Sequence, residues 1–306
     1  MGTPSPSKKL RDLLHFPNIP TWRRNKQDVK QLVGYLPIIK TSSSLDKTIV
    51  RQIFHKCLEI ILEPIRSLSE NGIDLQFGDK YIWFFPKILT IITDWPEATT
   101  FCLTYKSTNS ICPCHFCLIE RKNLANLKIS KSKLEFRTYQ NIQNYLKNAE
   151  EKLVYIELVQ NYFWRFYNIN IYEATVIDRM HHLDLGLYNH QITFTCDLLK
   201  SKYRYLILNK IDNRLANIPR HSGLKIFKNE IQTANTANKY CNLMKIMIFV
   251  LDNLTEDNDL NKILMKVYDD WNNMYLMSRY EEFSEKDLGN FEKLIRSWAK
   301  QFVNIF

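Results

Sequence analysis

The sequence predicts an α/β protein in two parts, a small α/β piece followed by a long, mainly α-helical one, and three observations carry this. Apolar residues between Ser44 and Gly72 recur at three- and four-residue steps; two short β-rich runs, Ile82–Phe85 and Ile88–Thr93, follow; and beyond residue 138 the apolar pattern keeps a helical period almost to the C-terminus. With 306 residues and 45% hydrophobic content, the chain is long enough for two domains with buried cores.

Residues 1–43 carry Pro4, Pro6, Pro17 and Pro20 among Lys8, Lys9, Arg11, Arg23, Arg24, Lys26 and Lys30, a composition that predicts an extended basic arm and connector. The region 44–137 opens with an amphipathic helix whose apolar stripe is Ile49, Ile53, Phe54, Cys57, Leu58, Ile61, Leu62 and Ile65. Gly72 stands where it should end, and Pro64 is a kink or break within it. Pro86 separates the two strands, the second an unbroken apolar run that predicts burial on both faces, and Asp94-Trp95-Pro96 stops it. Thr99–Tyr105 predicts a third strand, followed by a cysteine segment and a basic linker from Arg121 to Arg137. The region 138–306 predicts helices near 138–160, 177–200, 202–216, 235–253, 257–278 and 284–305, with turns at Ile218–Gly223 and Leu254–Asp259.

The seven glycines show neither dinucleotide-binding nor P-loop spacing, which excludes nucleotide cradles of those two kinds. A net charge of +10 predicts attraction to polyanions, with nucleic acid the expected partner. No apolar run approaches the roughly 18 residues that a membrane span needs, so the expectation is a soluble, intracellular chain with no membrane partner.

Several residues have the chemistry of a site. Asp94 follows an apolar run, and the carboxyl end of a strand is where a sheet presents a metal-binding carboxylate; on position alone, an Asp opening a turn before Pro96 is the plainer reading. Cys114 and Cys117 form a CxxC pair, whose short turn suits one tetrahedral zinc; a redox pair is the alternative. Donors to complete a zinc site include His181, His182, His190, Cys112 and Cys102. Asp178 lies one helical turn before His181 and either orients its imidazole or caps the helix. The aromatic run Tyr162–Tyr167 fits a core or a base-stacking platform. Arg23, Arg24, Arg121 and Lys122 are candidate phosphate contacts or plain solvated surface.

Taken in order, Asn18-Ile19 with Arg23-Arg24, Gly34-Tyr35-Leu36-Pro37, Asp94-Trp95-Pro96-Glu97, Cys114-x-x-Cys117-Leu118, Phe163-Trp164 and Asp178-x-Met180-His181 resemble the transposases of fungal Plavaka elements. These belong to the Kyakuja, Dileera and Zisupton group and are related more distantly to CACTA transposases. The resemblance implies a partial RNase H-like core with a long helical insertion, a nuclear location, and DNA hydrolysis and strand transfer in cut-and-paste recombination. It assigns Asp94 as the second of three acids that hold Mg2+ or Mn2+, Cys114 and Cys117 as the family's CxxC, and Asp178 with His181 as its DxxH. Asp12 is a poor match to the first acid, and the last would lie beyond Phe306, so the expectation is an internal, catalytically incomplete fragment.

The expected cofactors are a structural Zn2+ on Cys114, Cys117 and His181, with His182, His190 or Cys112 as fourth ligand, and Mg2+ or Mn2+ only where the full catalytic site is assembled. DNA and a second copy of the chain are the expected partners. The alternative is a non-catalytic, zinc-stabilised module that binds DNA or protein.

Overall fold

The structure, a computed structural model, describes residues 10–14, 19, 23, 26–29, 31–36, 39, 44–105, 109–219, 221–224, 231 and 236–306. They fall into two compact units, one holding the residues up to Leu124 with Ser130–Val176, the other Ala125–Ile129 with Ile177–Phe306.

In the first unit, β1 (Leu10–Leu14) and β2 (Gln31–Leu36) pair antiparallel with a bulge at Asp12 and Leu13. This corrects the expected extended arm: the ladder satisfies backbone groups that an arm leaves to water. Leu36 anchors the hairpin in a core that includes Leu58 and Leu62. Helix α1 (Ser44–Asn71) runs through Pro64 without interruption. Gly72 ends it at φ +69°, where an added Cβ would meet the Trp83 indole at 2.5 Å. Strands β3 (Ile73–Phe77) and β4 (Lys80–Phe84) then form a hairpin.

The second expected strand is corrected to the three residues of β5 (Ile91–Thr93), and Leu89 and Ile92 are 61% and 68% exposed rather than buried. Strand β5 pairs with β6 (Thr175–Ile177), and the sheets among the described residues are all two-stranded ladders, so the apolar run has no sheet interior to enter. The expected strand Thr99–Tyr105 is corrected: Thr99–Cys102 ends helix α2 (Trp95–Cys102), Leu103 caps it in the left-handed conformation, and only Thr104 makes a β-bridge, with Ile156. Asp94 caps that helix by accepting the Glu97 N–H at 2.8 Å, and Pro96 suits its first turn. Thr99 and Thr100 turn their hydroxyls onto the Pro96 carbonyl at 2.8 and 3.0 Å, so local hydrogen bonding outweighs their β preference.

Helix α3 (Tyr139–Lys147) starts at a capping box of Thr138 and Asn141. It is shorter than expected, because Ala149 and Tyr155 adopt positive φ. The aromatic run is core: Tyr162, Phe163 and Phe166 are buried, while Tyr167 is exposed. Asn161 donates to the Phe101 carbonyl at 2.7 Å and the Tyr162 hydroxyl to Glu63 at 2.9 Å. Bonds of this kind explain why residues 138–176, expected with the helical region, pack with the first unit.

His55 on α1 is buried, with both ring nitrogens engaged. Nε2–H donates to the Thr100 carbonyl at 3.2 Å, and Nδ1 accepts the Tyr162 N–H at 3.2 Å, an arrangement that only the neutral ring makes. Burial, above all, pulls its pKa from 6.5 to about 4. Above pH 6.5 the ring is neutral folded or unfolded; below it the unfolded chain takes up a proton that the folded one refuses. Stability should therefore fall by about 3 kcal/mol between pH 6.5 and 4. Glu63, held down to about 2 chiefly by Arg66, loses its contribution at lower pH. Urea titrations across this range should show the slope in the native chain and its loss in His55→Gln; an equal slope in both would refute the assignment.

The second unit is helical: α4 (Tyr188–Tyr203), α5 (Leu206–Ala216), α6 (Ala237–Leu251), α7 (Asn258–Met277) and α8 (Glu285–Ile305), close to the expected spans. Its core centres on Trp271, 0% exposed, with Tyr188, Tyr268 and Trp298. Arg214 of α5 donates to the Val250 and Asn253 carbonyls at 2.8 and 3.1 Å, placing a cation at the C-terminus of α6. Before α4 runs a π-helix, Met180–Leu187. None of the described helices is long and apolar enough to cross a membrane.

Candidate functional site

Asp94 sits where the sequence places it, at the carboxyl end of β5, half-buried. One of its oxygens is engaged as the cap of α2, so the capping role is real. Capping leaves the rest of the carboxylate's acceptor capacity free for a cation.

The cysteine segment is a loop stitched at both ends. Cys117 bridges to Phe136, the Leu118 N–H donates to the Glu135 carbonyl at 2.9 Å, and the Arg137 N–H to the Phe116 carbonyl at 2.8 Å. The residue that organises it was not among the sequence candidates. Arg137 is fully buried, and its guanidinium donates to the carbonyls of Cys114 at 2.9 Å, Cys112 at 3.2 Å and Val154 at 2.8 Å. A buried guanidinium has a large desolvation cost. Here backbone oxygens offset part of it, and burial draws its pKa down.

The two thiols lie within hydrogen-bonding reach of each other. Cys114, hydrogen-bonded by the Cys117 thiol and the backbone N–H groups of Cys117 and Phe116, is brought down to about 6 against the effect of burial. Cys117 moves up, through its bond to Cys114 and its burial. Two thiols at this spacing could hold a divalent cation, which binds such sulfurs as thiolates and releases their protons. The neighbouring cysteines differ: burial raises Cys102 to about 12 and also raises Cys112, whose sulfur lies 3.5 Å from the Leu118 carbonyl. His115, between the pair, is fully buried; Nε2 bonds the Thr175 carbonyl at 2.9 Å and Nδ1 has no hydrogen-bond partner.

Cys114 and Cys117 belong to the first unit, His181, His182 and His190 to the second. In the second unit Asp178 serves both roles weighed from sequence. Oδ1 accepts the His181 N–H at 3.0 Å, and Oδ2 pairs with His181 Nδ1. That bond leaves Nε2 as the ring nitrogen for a ligand. His182 is exposed, and His190 stacks on Phe194 with centroids 5.8 Å apart. Among the described residues no three His, Cys, Asp or Glu side chains gather as a metal-binding group.

Of the basic candidates, Arg23 is ion-paired with Asp28, Lys122 with Glu120 at 2.6 Å, and Arg121 donates to Asn109 at 2.9 Å; Arg24 lies outside the described residues. Lys128, Lys131 and Lys133 are exposed, and no acidic residue interrupts positions 121–133. Surface ion pairs of this kind are worth little and exchange readily for phosphate.

No curated protein and no solved structure matches this chain. The sequence model of one family, described as Plavaka transposase, matches residues 14–195, more than half of the chain and the stretch that carries Asp94, the CxxC pair and Asp178 with His181. The chain belongs to the Plavaka transposase family.

Proposed function

We propose that the protein is a DNA-binding, transposon-derived chain whose catalytic carboxylate is Asp94 and which, by itself, is catalytically incomplete. The observation that carries this is the family match across Asp94, at a strand end, in a chain with the charge to hold DNA. Asp94 would help to hold the divalent metal ions that would supply activation of the attacking oxygen and stabilisation of the leaving one in phosphodiester hydrolysis and strand transfer, and such a site needs carboxylates from several elements. Asp94 would supply one such contact with Mg2+ or Mn2+; the described residues gather no second and third acid around it. An RNase H-like arrangement and nuclear action on DNA go with this proposal.

Zinc is the second part of the proposal: Cys114 and Cys117 are its donor pair in the first unit, and His181, with His182 as the alternative imidazole, is a donor in the second. The CxxC spacing, with Cys114 drawn down by its bond from the Cys117 thiol, and the Asp178 bond to His181 Nδ1 support it. Bound there, zinc would be structural, and the non-catalytic module is the alternative for a chain that binds zinc and DNA but never cleaves.

The test combines DNA affinity against salt with plasmid nicking in Mg2+ or Mn2+. Binding strong at about 50 mM salt and lost steeply as salt rises is expected, with no nicking. Absence of binding at low salt would overturn the DNA assignment; nicking abolished by Asp94→Ala would overturn the incompleteness. Zinc content by mass spectrometry should fall in Cys117→Ser and His181→Ala, and a zinc-free native chain would overturn the zinc assignment.

A further inference from the structure

The π-helix is a rare element, because its widened backbone gives up the better packing of an α-helix, and such turns concentrate at functional positions. In this chain it joins Asp178 and His181 to α4, so it sets the direction in which they project. Two independent features hold the widened register.

The first is Gly186. A Cβ there would lie 2.7 Å from the His181 carbonyl oxygen, five residues back, so any larger residue forces that turn to change. The second is Asp184, 1% exposed and held by residues that no sequence motif connects. Its Oδ2 lies 3.4 Å from Nη1 of Arg179, and its Oδ1 accepts from the Cys241 thiol at 3.5 Å. Arg179 in turn donates to the Tyr275 hydroxyl at 2.6 Å and sits 5.5 Å from the centre of that ring, and the hydroxyl is 3.2 Å from the Cys241 sulfur. Arg179 and Asp184 are five residues apart. On an α-helix such residues do not face each other, since neighbours fall at three and four; the i to i+5 bonding of a π-helix brings them together. The network therefore reports, and favours, the π register, and it ties that register to α6 and α7.

We propose that Asp184, with Arg179, Cys241, Tyr275 and Gly186, is a register lock that positions Asp178 and His181. Relaxation to an α register would turn the segment before Gly186, which carries His181, by about one residue, roughly 100°, against Asp178, which lies outside the π-helix next to β6, and so break the bond between them. These are positioning residues; none of them is assigned a contact with metal or DNA. The value of the lock for metal binding rests on the zinc proposal above, whereas its effect on the histidine does not.

The test therefore starts without metal, on the full chain with isotope-labelled histidine. The Nδ1–H of His181, bonded to Asp178, should give a downfield proton resonance, assigned by its absence in His181→Ala. In Gly186→Ala and Asp184→Asn proteins with native circular dichroism, that resonance should vanish or move to the position of an unbonded ring, and Asp184→Glu should restore it in part. Should Gly186→Ala or Asp184→Asn not fold, Tyr275→Phe, which removes one hydroxyl, is read in its place with the same expectation. A native resonance in folded variants overturns the lock. In a second arm zinc affinity should drop roughly tenfold or more, as for residues that support metal ligands. Loss of the resonance in a chain that never binds zinc would leave the lock standing and remove the zinc proposal.

Discussion

Replacing Arg137 with methionine is expected to destabilise the protein by about 3 kcal/mol or more, because it strips the donor from three carbonyls at once and buried acceptors left unpaired cost about 1 kcal/mol or more each. The carbonyls are those of Cys112, Cys114 and Val154, and methionine fills the volume but carries no N–H. Arg137→Lys should fall between native and methionine, since one ammonium cannot reproduce a planar fork that reaches three oxygens. Urea denaturation of the three proteins, measured with chelator present, decides it. A loss under 1 kcal/mol for methionine would mean that the loop is held by its backbone bridges alone.

Trp271→Ala should cost a similar amount, on the order of 3 to 5 kcal/mol, through the cavity it leaves in the helical unit. The indole is 0% exposed and packs against Tyr188 at 5.4 Å, Trp298 at 5.2 Å and Tyr275 at 6.4 Å between ring centroids. Its N–H has no hydrogen-bond partner, so that group contributes a penalty rather than a gain. Trp271→Phe should consequently be mild, under about 1.5 kcal/mol, because it keeps most of the apolar contact and removes the unpaired donor. Thermal melts of both variants test the pair. Equal losses would show that the indole N–H, not ring packing, matters at this position.

Both predictions concern residues that drew no attention as sequence. Arg137 closes a basic linker and looks like another solvated cation; only the return of the chain over the cysteine loop buries it. Asp184 and Gly186 fall inside an apolar-patterned helix start, where neither the wider turn nor partners on α6 and α7 can be read from spacing. His55 likewise looks like one polar residue on an amphipathic helix, yet its two ring nitrogens face opposite partners more than forty residues away in sequence.

What the sequence determined by itself was local or cumulative. The α1 helix with its Gly72 stop, the helices α4 to α8 and the family all rest on periodicity or on ordered short motifs, signals that survive without knowledge of neighbours. Tertiary structure decided what depends on pairing. The expected arm became the β1–β2 hairpin because strands separated in sequence found each other's hydrogen bonds. The Ile88–Thr93 run stayed largely exposed because the ladder it joined has only two strands, and Thr99–Cys102 is helical because Asp94 and Pro96 start a capped helix just before it, leaving only Thr104 to make a single bridge, with Ile156. Single β-rich runs carry no record of their partners, whereas a helix closes its own hydrogen bonds; that difference is why the helical half was legible and the sheet was not.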